Sequence, residues 1–301
     1  MSEAEMSRRP LRVLVFGATG SGKTSLCNEI TGRDRPTGDG AKGITDKVHV
    51  YGQISEDGEP IVLVDTVGLH EADSGTVPAD RAVTHLVKLL TQSRDGFNLL
   101  VHVAKAGRLT KQQEQDYRFF VDNLTQRRIP VLLVLTGCEN SVPMSAWTEQ
   151  NRDVYRQFLY RDLVATCFGK GGRLEAEFAP LRAESRCAVM RSVREVALPE
   201  PILLYGSDTG SSFNQVLQRV WNDFVELAGL PAKYRMQVNE SAYRLLRRLG
   251  VPKDLAEMAI KHLPELIEMT PVPWKAVVKT IVRAVLRKLL GQPTPAAVKP
   301  K

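Results

Sequence analysis

Residues Gly17-Ala18-Thr19-Gly20-Ser21-Gly22-Lys23-Thr24 set glycines, a lysine and a hydroxyl at the spacing G-x-x-x-x-G-K-[ST]. Glycines let the main chain wrap a phosphate and turn its N–H groups inward, and Lys23 adds a positive charge for β- and γ-oxygens. Thr24 brings an oxygen suited to Mg²⁺, with Ser25 following it at the loop's margin. The chemistry that fits is the gripping of a triphosphate and in-line attack of water on its γ-phosphate. Further on, Asp65-Thr66-Val67-Gly68 places a carboxylate after an apolar run. Asp65 is the candidate to hold Mg²⁺ through water, and Gly68, lacking a Cβ, can offer its N–H to the γ-phosphate. Between the two, Thr45 of Lys42-Gly43-Ile44-Thr45-Asp46 is a further candidate for Mg²⁺ and the γ-phosphate, ordering in the triphosphate state.

The choice of base rests on Leu135-Thr136-Gly137-Cys138-Glu139. Guanine needs a carboxylate that accepts from its ring N–H and its exocyclic amine together, commonly supplied by [NT]-K-x-D after a strand. Thr136 matches that pattern, Gly137 stands where Lys is usual, and Glu139 replaces Asp. Discrimination then hangs largely on Glu139, since a hydrogen bond to a charged group is worth about 1.5–3 kcal/mol. Gly206-Ser207, after the last expected strand, is a candidate to present an N–H to the guanine O6.

These residues need strands and turns to converge. Leu11–Phe16 reads as a buried strand that runs into the glycine-rich turn, with a helix starting near Lys23. Lys47–Ile54 alternates like an edge strand, and Glu56-Asp57-Gly58 supplies a hairpin turn to a buried strand over Ile61–Val64, so these two pair antiparallel. Asn98–Val103, Pro130–Leu135 and Pro201–Tyr205 are the remaining apolar runs. Helical stretches are expected near 79–92 and over 111–124, the latter opened by Thr110-x-x-Gln113 in the form of a capping box. Residues 146–198 read as a long helical insertion interrupted by glycines at 169–172. The expected fold is α/β, a P-loop NTPase with a mostly parallel six-stranded sheet, one antiparallel edge strand and a C-terminal helical appendage.

The chain has 301 residues, of which 43% are hydrophobic and 25% charged, which excludes disorder throughout. No apolar run reaches the length of a membrane span, and the polar start lacks the core of a secretory signal. Cys27, Cys138, Cys167 and Cys187 are scattered without a Cys-x-x-Cys pair, which suggests neither a disulfide framework nor a zinc site and leads us to expect a cytoplasmic setting. The net charge of +7 is uneven: residues 230–301 carry +9 and the rest −2. The organisation expected is a polar leader over 1–10, a nucleotide-binding domain over 11–229 and a basic helical region over 230–301.

The order and spacing of these motifs resemble TRAFAC-class GTPases over about residues 11–225. They are most similar to the septin-like branch that holds the GIMAP/IAN proteins and the plastid-import receptor GTPases, and to fungal and bacterial G-domain proteins with a Thr-Gly-x-Glu base motif. The resemblance is carried by the P-loop, Gly43-x-Thr45, Asp65-Thr-Val-Gly68-Leu69, Thr136-x-x-Glu139 and Ala106-Gly-Arg108-Leu-Thr110. The last is similar to the Gly-Arg-[aromatic]-Thr box of GIMAP proteins. Val67 and Gly137 depart from the family's usual Pro and Lys. The resemblance implies GTP/GDP and Mg²⁺ as ligands, and a homodimer or oligomer joined through the nucleotide face. Leu69 stands where Ras-like enzymes place the Gln that orients water, so turnover is expected to be slow or completed by a partner. His70 and, from a second protomer, Arg108 are the candidates to assist.

Within residues 273–290, Trp274, Val277, Val278, Ile281, Val285 and Leu289 recur at helical spacing, with Lys275, Lys279, Arg283 and Arg287 on another face. Three readings stand: a lid packed on the domain with its basic stripe in solvent, peripheral attachment to an anionic membrane surface, or nucleic-acid binding. Few aromatic residues weigh against nucleic acid. For function, a Mg²⁺-dependent GTP-hydrolysing switch leads, beside a non-hydrolysing GTP-binding module and an ATP-binding protein with a degenerate base site.

Overall fold

The computed structural model describes residues 9–33, 49–54, 60–66, 86, 89–170, 174–206, 209–227 and 229. The expected sites at Thr45, Gly68, Leu69, His70 and Ser207, and the basic region over 230–301, lie outside them. Strands are β1 (Leu11–Phe16), β2 (His49–Ile54), β3 (Pro60–Asp65), β4 (Leu99–Lys105), β5 (Val131–Thr136) and β6 (Tyr160–Thr166). They form one six-stranded sheet in the order β2-β3-β1-β4-β5-β6. All pairs are parallel except β2 with β3. Among the described residues, the bounded α-helices are α1 (Lys23–Thr31), α2 (Lys111–Tyr117), α3 (Ser145–Asn151), α4 (Glu175–Val196) and α5 (Phe213–Leu227); residues 86 and 89–92 are helical as well.

Side chains of a strand alternate between faces, and β1 divides its apolar residues accordingly. Leu14 and Phe16 enter a core with Phe119, Phe120, Val220, Trp221 and Phe224. Val13 and Val15 enter another with Leu26 and Ile30 of α1 and Val189, Met190 and Val193 of α4. Helices on both faces explain why the central strands read as unbroken apolar runs. Among the described residues no helix is long and apolar enough to cross a membrane.

Two expectations are corrected. The sixth strand is Tyr160–Thr166, inside the stretch read as a helical insertion, and not Pro201–Tyr205. An edge strand needs burial on only part of its length, and Arg161 and Asp162 interrupt the apolar run that would have marked it. Residues 201–205 make a single antiparallel bridge, Phe97 to Ile202, beside the start of β4. The second correction concerns residues 111–124. Thr110 caps α2 with the expected reciprocal bonds to Gln113, but from Arg118 to Leu124 the chain winds as a π-helix. The Thr125 N–H reaches back five residues to the Phe120 carbonyl at 3.3 Å. The wider turn places the consecutive residues Phe119, Phe120 and Val121 together in the core.

Candidate nucleotide-binding site

Parallel sheets present their functional loops at the carboxyl ends of their strands, and that is where the sequence motifs meet. Gly17 follows β1 with φ of 138°, and a Cβ there would sit 2.1 Å from the Val103 carbonyl oxygen of β4. Only glycine lets the loop lie this close to the sheet. Ala18 and Ser21 close a turn through the Ser21 N–H and Ala18 carbonyl at 3.1 Å, while Thr19 and Gly20 stand exposed above it. Gly22 takes φ of 99° as the residue before α1, and its carbonyl accepts the helix's early bond from Leu26 at 2.9 Å. Lys23 is buried, and its ammonium donates to the carbonyls of Gly17 at 2.8 Å and Ala18 at 2.9 Å. The charge thus lies at the mouth of the loop. Ser25 follows half-buried on α1.

The Thr24 hydroxyl donates to the Asp65 carboxylate at 3.0 Å. Register places Asp65 opposite Val15 at the end of β1, so the end of β3 and the first turn of α1 bring the two oxygens side by side. A hydroxyl beside a buried carboxylate is a hard-oxygen donor set that fits Mg²⁺, which takes one or two protein ligands and completes its shell with phosphates and water. Among the described residues no group of three His, Cys, Asp or Glu gathers into an all-protein metal site.

At the other end, the Thr136 hydroxyl donates to the Ser21 carbonyl at 2.8 Å, tying the base motif to the phosphate loop without the usual lysine. Gly137 is exposed with φ of 82° and Glu139 is half-buried. The Cys138 N–H donates to the Thr166 carbonyl at 3.1 Å, which brings the end of β6 beside the base motif. The Cys167 thiol is buried; burial pushes its pKa up against the opposing Gly169 backbone, and the nearby Glu139 charge adds to the rise.

The loop that follows the last sheet strand is therefore Cys167–Lys170, and sequence reading missed it because β6 was missed. Gly206 does not occupy that place. Its N–H is committed to the Ser211 carbonyl at 2.9 Å in a separate turn.

Beneath the phosphate loop lies a buried polar set absent from the sequence reading. His102 of β4 stacks on Phe16 with centroids 4.6 Å apart, and its Nδ1 meets the Tyr160 hydroxyl at 2.7 Å. Burial, then the Lys23 charge, lower its pKa to about 3, so the ring is neutral. Asp116 of α2 is buried too. Burial raises its pKa to about 7 against the opposing pull of Lys23 and a hydrogen bond from Gln112. Spacing alone gives no sign that His102 and Asp116 both lie within reach of the Lys23 field. Arg108 is exposed between β4 and α2, just before the Thr110 cap.

Residues 11–167, just over half the chain, match the model of the AIG1 family. The chain is 29% identical over 137 residues to the tRNA modification GTPase MnmE of Acinetobacter baylyi, spanning 46% of this chain and 28% of MnmE. It is 28% identical over 114 residues to Immune-associated nucleotide-binding protein 7 of Arabidopsis thaliana, spanning 37% of this chain and 36% of that protein. It is 37% identical over 95 residues to translation initiation factor IF-2 of Mycoplasma pneumoniae, covering 15% of the factor. The chain thus spans about a third or less of these relatives' lengths. Among solved structures, Era of Aquifex aeolicus bound to GDP·AlF4⁻ aligns with a TM-score of 0.45 at 18% identity, covering 65% of this chain and 60% of Era.

Proposed function

The chain belongs to the AIG1 family of P-loop GTPases, and from that premise we propose that it binds GTP with Mg²⁺, hydrolyses it slowly and acts as a nucleotide-controlled assembly switch. The observation that carries this reading is the meeting of three separate segments at one end of the sheet: Thr24 against Asp65, Lys23 inside the loop, and Thr136 against Ser21. Main-chain amides over residues 17–24 and the start of α1 hold the phosphates, and Lys23 neutralises charge on the β- and γ-oxygens. Thr24 and Asp65, joined by Thr45, are the residues to hold Mg²⁺, which supplies charge neutralisation across the β- and γ-phosphates when bound. Gly68 offers its N–H to the γ-phosphate. Glu139 accepts from the guanine edge, and the loop after β6 closes the other side of the base.

Leu69 has no group to orient water, so an isolated protomer turns over slowly. Arg108 completes the site of a second copy across the nucleotide face, as an exposed guanidinium can stabilise charge in trans. The same Leu69 favours a second reading, a GTP-binding module that does not hydrolyse. Single-turnover hydrolysis separates the two. The primary test is affinity for GTP, GDP and ATP in the presence of Mg²⁺, with Glu139→Ala beside wild type. Loss of Glu139 should weaken GTP by about 1.5–3 kcal/mol, roughly ten- to 150-fold, and leave ATP unchanged. Equal wild-type affinity for GTP and ATP would establish the degenerate-base alternative instead.

A further inference from the structure

Helix α4 sets one face against the loop that follows β6. Phe178, Arg182 and Ser185 stand four and three residues apart, on one side of the helix. The Ser185 hydroxyl is buried; it accepts the Cys167 N–H at 2.8 Å and donates to the Leu181 carbonyl at 2.7 Å. The Arg182 guanidinium donates to the Gly169 carbonyl at 2.6 Å. The Phe178 ring lies so close to Gly169 that a Cβ there would meet it at 3.0 Å. Three different contacts thus fix two residues of one short loop, Cys167 and Gly169.

Arg182 also joins charges from elsewhere in the fold. It bonds Glu175 of its own helix and lies 3.9 Å from Glu29 of α1, which Lys170 approaches at 3.8 Å. The Arg182 side chain is 11% exposed, so these are not freely solvated surface pairs. The helix that begins at Lys23 and the loop beside Glu139 are therefore tied to the same guanidinium.

We propose that Arg182, with Phe178 and Ser185, is a positioning residue for purine selection: α4 holds the loop Cys167–Gly169 against the Glu139 side of the base site, and guanine preference depends on that grip. This rests on the reading of Glu139 as the guanine-binding acid. The base motif has Gly137 where a lysine would pack over the base, so the wall of the site has to be held from another direction. The contacts from α4 do this through the loop, whose head is tied to the residue beside Glu139 by the Cys138 N–H bond to the Thr166 carbonyl and by the packing of Cys138 with Cys167 in one core cluster.

The test is calorimetric affinity for GTP and ATP, each with Mg²⁺, in the full chain. Arg182→Met removes the carbonyl contact while keeping an aliphatic stem. It should cut the GTP-over-ATP preference about tenfold or more by weakening GTP, with ATP affinity held within about twofold. Arg182→Lys should recover part of the preference. Gly169→Ala leaves the charges in place and pushes the loop off Phe178; it should produce the same loss of preference, and adding Phe178→Leu should restore it. Should Arg182→Met fail to fold, the Gly169 pair decides the matter. A merely structural role would weaken both nucleotides equally, and that result overturns the assignment. A guanine preference that survives in both variants also overturns it, with the reading of Glu139 intact. A wild type with no guanine preference overturns both.

Discussion

Replacing Asp116 by Asn in the nucleotide-free protein should change how stability depends on pH, and the structure gives both sign and size. The Asp116 carboxyl is 1% exposed, and its pKa is raised from 3.8 to about 7, chiefly by burial. Between about pH 4 and pH 7 the folded chain keeps a proton that the unfolded chain has released, so folding becomes less favourable as pH rises. At about 1.4 kcal/mol per pH unit, the span accumulates to roughly 4 kcal/mol by pH 7 and then stops growing. His102 runs the other way. Its folded pKa of about 3 lies below the usual 6.5, so its contribution is present above pH 6.5 and is lost as pH falls towards 3. From about pH 4 to 6.5 the two slopes oppose each other, and each hides the other in the parent protein.

Asp116→Asn lifts one of them. Urea unfolding at a series of pH values should show variant and parent alike near pH 4. The variant should become progressively more stable up to pH 7, and a plateau of a few kcal/mol should follow. A difference that is flat across this range refutes the reasoning. So does a variant less stable than the parent at pH 7.5, because that is the sign of a carboxylate held charged by its neighbours.

Thr136→Val should destabilise the chain by about 1–3 kcal/mol in thermal or urea unfolding, because it leaves the Ser21 carbonyl without the 2.8 Å bond. It should also weaken every nucleotide similarly, since it loosens the phosphate loop rather than the base contact. For Arg108→Ala, hydrolysis per protomer should be slow at all protein concentrations, whereas the wild-type rate should climb with concentration. A flat wild-type profile removes the role in trans.

Most of the central sheet was legible because its strands are buried on both faces and so spell apolar runs: β1, β4 and β5 each stand out from their polar surroundings. The Thr110 cap was legible because Thr and Gln at that spacing satisfy each other's backbone groups. What escaped had weaker local signals. Strand β6 keeps its burial for its last residues, Val164 to Thr166, and carries charge before them. Without β6 the loop after it could not be found, and the base-side candidate drifted to Gly206 and Ser207. The phosphate-loop residues needed only a contiguous pattern. The pairing of Thr24 with Asp65, and of Thr136 with Ser21, needed the sheet order. His102 and Asp116 are a third kind: each is an unremarkable polar residue in sequence, and only three-dimensional closure takes water away from both.

The wide helical turn over Arg118–Leu124 has its own consequence. It holds one residue more than an ordinary α-helical path of the same span, and that surplus sets the angular phase between the Thr110 cap and the aromatic anchors Phe119 and Phe120. Deleting that residue would let the segment rewind as plain α-helix with its flanks near their present phase, whereas deleting one from the ordinary helical turns of α2 would swing everything upstream by about 100°. The loop bearing Arg108 would swivel with it, towards a different quarter of the surface. In this stretch the count of residues governs where that guanidinium aims, and conservative changes of side chain should be tolerated far better than a change of length.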